Sequence, residues 1–147
     1  MRSGTEAGRL TSHTLRGMCE RFKRSYDVGM KGDEERVIQA FCAFLREQGW
    51  STKREVGFID VIAQKDGHRI LAEAKGRTAA VGLDVDTMFG QLLRRMPQER
   101  PEPETRFALV VPTEASTAVE RVPRWVRTEL AIDVYVVRDD GSVTKRD

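Results

Sequence analysis

Two β-prone runs on either side of a tight-turn signal constrain the fold of this chain more than any other feature. Thr52 to Ile59 and on to Ala63 alternates and contains β-branched residues, and Arg69 to Lys75 alternates again. Between the runs, Lys65-Asp66-Gly67-His68 contains the Asp-Gly pair that favours a tight hairpin turn. The pattern therefore predicts an antiparallel strand meander.

Helical periodicity is found on both sides of this meander. Asp33 to Gln48 is predicted to be a helix that ends at Gly49, because its apolar residues fall on one face. Asp84 to Met96 is predicted to be a second helix, which the proline-rich stretch Pro97 to Pro103 terminates. Each helix therefore has an apolar face that can pack against a sheet.

The C-terminal part of the chain predicts two further strands. Phe107 to Val111 and Ala131 to Val137 are apolar runs typical of strands that are buried on both faces. After the second of them, the turn Asp139-Asp140-Gly141 is expected to be followed only by a short polar tail.

A third helix is predicted between those two strands. Thr113 or Ser116 can cap it, it reaches about Leu130, and Pro123 inside it implies a kink or a late restart. The complete element order is then αβββαβαβ. This order predicts an α/β fold in which helices flank a mixed central β-sheet.

The charge distribution divides the chain at Gly29-Met30-Lys31-Gly32. Residues 1–31 contain seven basic and three acidic residues, whereas residues 32–147 contain 18 basic and 20 acidic ones. The overall charge of +2 is therefore an average over a basic arm and a slightly acidic domain. A short basic helix is expected within the arm, between Ser12 and Tyr26.

Several classes of protein are excluded by simple counts. No apolar run approaches the 18 or so residues that a membrane-spanning helix needs, and the N-terminus lacks the apolar region of a signal peptide. Cys19 and Cys42 lie far apart and outside any zinc-binding spacing, which argues against a zinc site or a disulfide scaffold. We therefore expect a cytoplasmic protein that does not bind membranes.

Charged residues inside the two β-prone runs indicate a functional site. Asp60 interrupts an otherwise apolar run, while Glu73 and Lys75, two residues apart, are predicted to share one side of the sheet. In a hairpin, Asp60 and Glu73 become neighbours across the ladder. Buried carboxylates need compensation, and Mg²⁺ is a cation that two carboxylates, a backbone carbonyl and waters would hold.

The first predicted helix can supply a third carboxylate. Its apolar stripe is centred close to the direction of Glu34, whereas Glu35 lies about a quarter turn away at 100° per residue. Glu34 is therefore the preferred candidate and Glu35 the alternative. Glu34 could equally be an acid that stabilises the helix N-terminus through the macrodipole.

This combination resembles the PD-(D/E)XK nuclease superfamily, which shares a restriction-endonuclease-like core. The resemblance covers residues 32 to about 138 and rests on a helix acid, a strand Asp, and Glu-Ala-Lys after a hairpin. The proline of the family motif is absent, because Ile59 stands in its place. Several exonuclease branches of the family carry Gln followed four residues later by Tyr, whereas here Gln91 is followed by Arg95.

The resemblance implies Mg²⁺-dependent hydrolysis of phosphodiester bonds, with Mn²⁺ as a substitute. Asp60, Glu73 and the Ala74 carbonyl would hold the metal, and Glu34 would complete its shell. Lys75 would position or deprotonate the attacking water and offset charge on the phosphate. The alternative is a non-catalytic nucleic-acid-binding or assembly module on the same fold.

DNA is the expected partner. Gln91 and Arg95 could reach a phosphate from the second helix, and basic residues of the arm could bind DNA as well. Those arm residues are Arg16, Arg21, Lys23 and Arg24. The arm could instead be a solubilising, partner-docking or dimerising segment.

No base-reading motif is visible, so structure-specific cutting or recruitment by a protein partner is favoured over site-specific restriction. A homodimer is plausible by analogy, because cleavage of both strands needs two sites. A set of arginines around Trp125, namely Arg121, Arg124 and Arg127, could be a solvated helix face or a phosphate-tracking patch.

Overall fold

The computed structural model describes residues 32–147. The predicted basic helix and the arm residues proposed to bind DNA, Arg16, Arg21, Lys23 and Arg24, lie outside the described residues. The domain boundary near residue 32 stays a prediction.

Six strands and four α-helices form the described part of the chain. Helix α1 occupies residues 32–47 and precedes the antiparallel meander. The remaining elements are β1 (Ser51–Val56), β2 (Ile59–Lys65), β3 (His68–Ala74), α2 (Val81–Arg95), β4 (Thr105–Pro112), a 3₁₀ turn (Thr113–Ala115), α3 (Ser116–Val119), α4 (Arg124–Glu129), β5 (Ile132–Val137) and β6 (Val143–Arg146).

The strands form one mixed sheet in the order β1-β2-β3-β4-β5-β6. The first three strands are antiparallel, β3, β4 and β5 run parallel, and β6 closes the far edge antiparallel to β5. The predicted mixed α/β sheet flanked by helices is therefore confirmed.

Two hydrophobic cores lie on opposite faces of the sheet. One core packs α2 and α3 against alternating residues such as Ile62, Leu71 and Leu109. The other packs α1 against the intervening residues, such as Ala72 and Val110. Strands β4 and β5 contribute to both cores, as their continuous apolar sequences predict.

The Asp-Gly hairpin is confirmed, and the turn between the first two of the three predicted strands lies at Gly57 and Phe58. Asp66 and Gly67 both have positive φ, and Lys65 pairs with His68 across the turn. The run from Thr52 to Ala63 turns back at Gly57 and Phe58, whose φ values are 57° and 70°. Two successive positive φ angles match the turn type that suits a two-residue hairpin, although Phe is an unusual residue there.

The third predicted helix is broken in the structure. A 3₁₀ turn and α3 end at Val119, and α4 restarts at Arg124 directly after Pro123. The expected restart at Pro123 is therefore confirmed. The polar tail, by contrast, forms strand β6, because Val137 and Val143 pair across the Asp139-Asp140-Gly141 turn.

Within residues 32–147, no helix combines the length and the apolar character needed to cross a bilayer.

Candidate active site

Asp60 and Glu73 lie side by side on one face of the sheet. Val61 of β2 pairs with Ala72 of β3 in the antiparallel ladder. Asp60, which precedes Val61, therefore lies opposite Glu73, which follows Ala72. Both side chains are on the α2 face, since their neighbours Val61 and Ala72 belong to the α1-side core. The predicted juxtaposition across the ladder is therefore present in the structure.

The Asp60 carboxylate is fixed by the backbone of β3. The Ala74 N–H donates to Asp60 Oδ2 over 2.8 Å. Burial raises the pKa of Asp60, and the Ala74 N–H, Arg95 and Lys75 oppose that rise only in part. Negative charge on Asp60 is thus incompletely compensated by the protein.

Glu73 is 3% exposed and is the most buried acidic residue of the described chain. Its carboxylate forms an ion pair with Arg95, which lies in the last turn of α2. The guanidinium therefore supplies the positive charge that this buried carboxylate requires. From the sequence, Arg95 was expected to reach a phosphate, whereas in the structure it pairs with Glu73.

Lys75 follows β3 directly, and its backbone N–H donates to the Val110 carbonyl over 3.0 Å, extending the pairing with β4. Its Nζ lies 3.7 Å from Glu34 Oε2. Burial raises the pKa of Glu34, Lys75 opposes the rise, and the Asp60 charge adds to it. Glu34, Lys75 and Asp60 therefore influence one another electrostatically.

Of the two candidate helix acids, the structure brings Glu34 to this site. Glu35 accepts hydrogen bonds from Arg54 of β1 at 2.9 Å and from Gln39 at 2.7 Å. Hydrogen bonds from these two residues lower the pKa of Glu35. Glu35 is therefore committed to a surface contact away from Lys75.

A tight loop after β3 holds the start of α1 against the sheet. A Cβ atom on Gly76 would lie within 3.0 Å of backbone atoms of Asp33 and Glu34, so only glycine fits there. The Arg77 N–H also donates to the Asp33 carboxylate. This close approach explains how a residue 41 positions earlier in the chain reaches Lys75.

Gln91 lies one turn before Arg95 on α2 and is partly buried. Its position is on the flank of the helix that also carries Arg95. Gly90 has open space around the position of a Cβ atom. No neighbouring element of the described chain therefore packs closely against α2 at Gly90.

The donor set fits a hard divalent cation in its chemistry. Two carboxylates on adjacent strands, with a third from α1, are the oxygen ligands that Mg²⁺ accepts. In the part of the chain that the structure describes, no three His, Cys, Asp or Glu side chains are gathered into a metal-binding group. Arg95 holds the position next to Glu73, so a cation there requires Arg95 to release the carboxylate.

Comparisons with known proteins give a likeness of fold. No protein-family model and no curated protein matches the sequence. An XisH family protein from Nostoc punctiforme is 19% identical, with a TM-score of 0.51, over 76% of this chain and 96% of that one. An fdxN element excision controlling factor protein from Anabaena variabilis is also 19% identical, with a TM-score of 0.50, over 77% and 96%. At this identity the chain is similar to these proteins in its α/β fold alone.

Proposed function

We propose that this chain is a metal-dependent deoxyribonuclease with a restriction-endonuclease-like core. One observation carries the proposal: Asp60 and Glu73 lie level on adjacent strands, and Lys75 follows Glu73 at a spacing of two residues. Carboxylates on rigid strands with an adjacent lysine suit phosphodiester hydrolysis.

Each residue has a distinct task in this proposal. Asp60, Glu73 and the Ala74 carbonyl would hold Mg²⁺ or Mn²⁺, with Glu34 beside them. When bound, the cation supplies Lewis acidity to the phosphate and lowers the pKa of a water. Lys75 orients that water and offsets negative charge that develops on the phosphate oxygens. The Ala74 N–H keeps the Asp60 carboxylate in position.

The substrate is DNA, cut in a structure-dependent manner or after recruitment by a protein partner. Arg95 is about one-quarter exposed and lies at the end of α2, where, once released from Glu73, it can contact a phosphate. Gln91 on the same flank would assist it. The basic arm would add contacts to the DNA backbone, and a homodimer would supply a second site for the second strand.

The direct test is cleavage by the purified full chain of plasmid, linear and branched DNA with Mg²⁺ or Mn²⁺. Lys75→Ala is expected to lower the cleavage rate by about 100-fold or more, the usual effect of removing an electrostatic catalyst. Lys53→Ala is the matched control, because Lys53 is an exposed lysine on β1. Equal cleavage by both variants on every substrate rejects the catalytic assignment.

A second candidate is a non-catalytic nucleic-acid-binding or assembly module on the same fold. The Glu73–Arg95 ion pair favours it, because the protein then neutralises its own buried carboxylate without a metal. Titration calorimetry with Mn²⁺ separates the two candidates. A nuclease site binds Mn²⁺ and loses it in Asp60→Ala, whereas a binding module shows no such site.

A further inference from the structure

A basic cavity lies at the opposite end of the parallel strands from the candidate active site. It has a volume of about 200 Å³ and is lined by residues of β4, α4, β5 and β6 near the start of β5. Its cationic lining residues are Arg106 of β4, Arg124 and Arg127 of α4, and Lys145 and Arg146 of β6.

Carboxylates neutralise only part of the positive charge that lines this cavity. Asp133 accepts a hydrogen bond from Arg106 Nε over 2.7 Å, and its Oδ1 lies 3.2 Å from Lys145 Nζ. Asp147 is the other acidic residue that lines the cavity. Five cationic and two anionic side chains therefore leave an excess of three positive charges. This excess occurs in a domain, residues 32–147, whose own net charge is −2.

Arg127 is the buried cationic side chain of the cavity lining. It is 6% exposed, and its Nε donates to the Val122 carbonyl over 3.2 Å. Across residues 32–147, no carboxylate lies within ion-pair distance of its guanidinium. A buried charge is costly unless a counter-charge compensates it. An anion in the cavity would supply that counter-charge.

An exposed aromatic side chain accompanies the charges. Trp125 directly follows Arg124 on α4 and is 73% exposed. Proteins that bind single-stranded nucleic acids combine basic grooves for the backbone with aromatic rings on which bases stack. Trp125 does not itself line the cavity, but it lies between the lining residues Arg124 and Arg127 on α4, so one helix carries both parts of that arrangement.

We propose that the cavity and Trp125 form a binding site for single-stranded nucleic acid, with a backbone phosphate against Arg127 and an adjacent base on the indole. The site does not depend on the proposed nuclease activity. Glu73 pairs with Leu109 on β4, three residues beyond Arg106, so the two sites are about 10 Å apart along that strand.

The test measures binding of a fluorescein-labelled oligothymidylate to the full chain by anisotropy, in EDTA so that cleavage cannot occur. Arg124→Glu and Arg146→Glu change exposed side chains and therefore leave the fold intact. Each is expected to weaken binding about tenfold or more. Arg46→Glu, at an exposed arginine of α1, is the matched control and should change binding less than twofold.

Substitutions of Trp125 distinguish binding of a single strand, whose bases can stack on the indole, from binding of a duplex. Trp125→Ala is expected to weaken oligothymidylate binding about fivefold or more, whereas Trp125→Phe keeps most of it. Binding should also quench the indole fluorescence of the wild type, and Trp125→Phe should remove that quenching. A fully paired DNA duplex should be insensitive to Trp125→Ala.

Three results would overturn the proposal. The first is an affinity of the Arg124 and Arg146 variants equal to that of Arg46→Glu. The second is unchanged oligothymidylate binding in Trp125→Ala, which leaves a phosphate contact without base stacking. The third is full competition by millimolar inorganic phosphate, which identifies a free-anion site and not a nucleic-acid site.

Discussion

Two buried carboxylates on the same sheet are neutralised in different ways. Glu73 is 3% exposed and faces α2, whereas Asp133 is 7% exposed and lies on the α1 face. Asp133 receives two hydrogen bonds from Arg106 and has Lys145 at 3.2 Å. Glu73, among residues 32–147, forms its ion pair with Arg95 and no second cation.

The origin of the cations explains why the two sites are not equivalent. Arg106 and Lys145 come from β4 and β6, the strands on either side of β5, so the sheet itself holds them beside Asp133. Arg95 comes from the last turn of a helix that a proline-rich loop follows. We infer that the Asp133 cluster is structural, whereas Glu73 has a partner that a cation can replace.

The largest expected effect is that of Arg95→Ala on stability in EDTA. The substitution leaves Glu73 buried without a counter-charge, which typically costs about 3–5 kcal/mol of unfolding free energy. Urea denaturation measures the loss. Arg94→Ala is the matched control, because the neighbouring Arg94 is exposed and its Nε donates to the Gly90 carbonyl of its own helix. A loss below about 1 kcal/mol would mean that Glu73 does not depend on Arg95.

The second prediction concerns replacement of Arg95 by a metal. Mn²⁺ should stabilise Arg95→Ala more than the wild type, because no guanidinium competes for Glu73 in the variant. Mn²⁺ at 100 times its dissociation constant raises the unfolding free energy of a protein that binds it by about 2.7 kcal/mol. Thermal unfolding with and without Mn²⁺ measures the difference. Equal shifts in both proteins would show that Arg95 does not occupy a metal position.

The two buried carboxylates also show how far the sequence could predict the site. Asp60 and Glu73 were singled out because each interrupts an apolar run, and their juxtaposition follows from the Asp-Gly turn. Asp133 interrupts the run from Ala131 to Val137 in the same way but was not singled out. Its partner Arg106 belongs to another strand, so only the tertiary pairing of β4 with β5 reveals the cluster.

The fold was predicted best where periodicity and turn chemistry agree. Helix α1, the Asp-Gly hairpin and the buried strands β4 and β5 have strong local signals. The position of the turn between β1 and β2 was not predicted, because Phe58 continues the β-prone pattern although its φ is 70°. Strand β6 was missed because it is short and polar, and it is stabilised by pairing with β5 more than by its own composition.

A smaller effect is expected at Asp133, where a second cation remains after one is removed. Arg106→Ala should cost about 2 kcal/mol, the usual size of a hydrogen bond to a charged group. Removal of Arg106 in a Lys145→Ala background should cost more, because Asp133 then lacks both of the cations that pair with it in residues 32–147. A double-mutant cycle by urea denaturation measures this coupling. If the losses of unfolding free energy from the two single substitutions simply add, Arg106 and Lys145 do not share the compensation of Asp133.

The smallest effect is a pH dependence at Asp60, measured without metal. Burial raises the pKa of Asp60 in the folded protein above its ordinary value. The folded state therefore keeps this proton over a pH range in which the unfolded chain has lost it, so stability from Asp60 is present at low pH and is lost as the pH rises through the folded pKa.

Asp60→Asn should accordingly gain stability relative to the wild type between about pH 4 and pH 7, the range above the ordinary aspartate pKa. The amide oxygen can still accept the Ala74 N–H, so the comparison isolates the charge. Asp86→Asn, at an exposed position of α2, is the matched control for the change of residue type. If the difference in unfolding free energy between Asp60→Asn and the wild type does not change with pH, Arg95 and Lys75 fully compensate the carboxylate. If that free-energy difference rises with pH, the negative charge of Asp60 is not fully compensated by the protein. The ionised carboxylate can then bind a cation, because a metal ligand must first lose its proton.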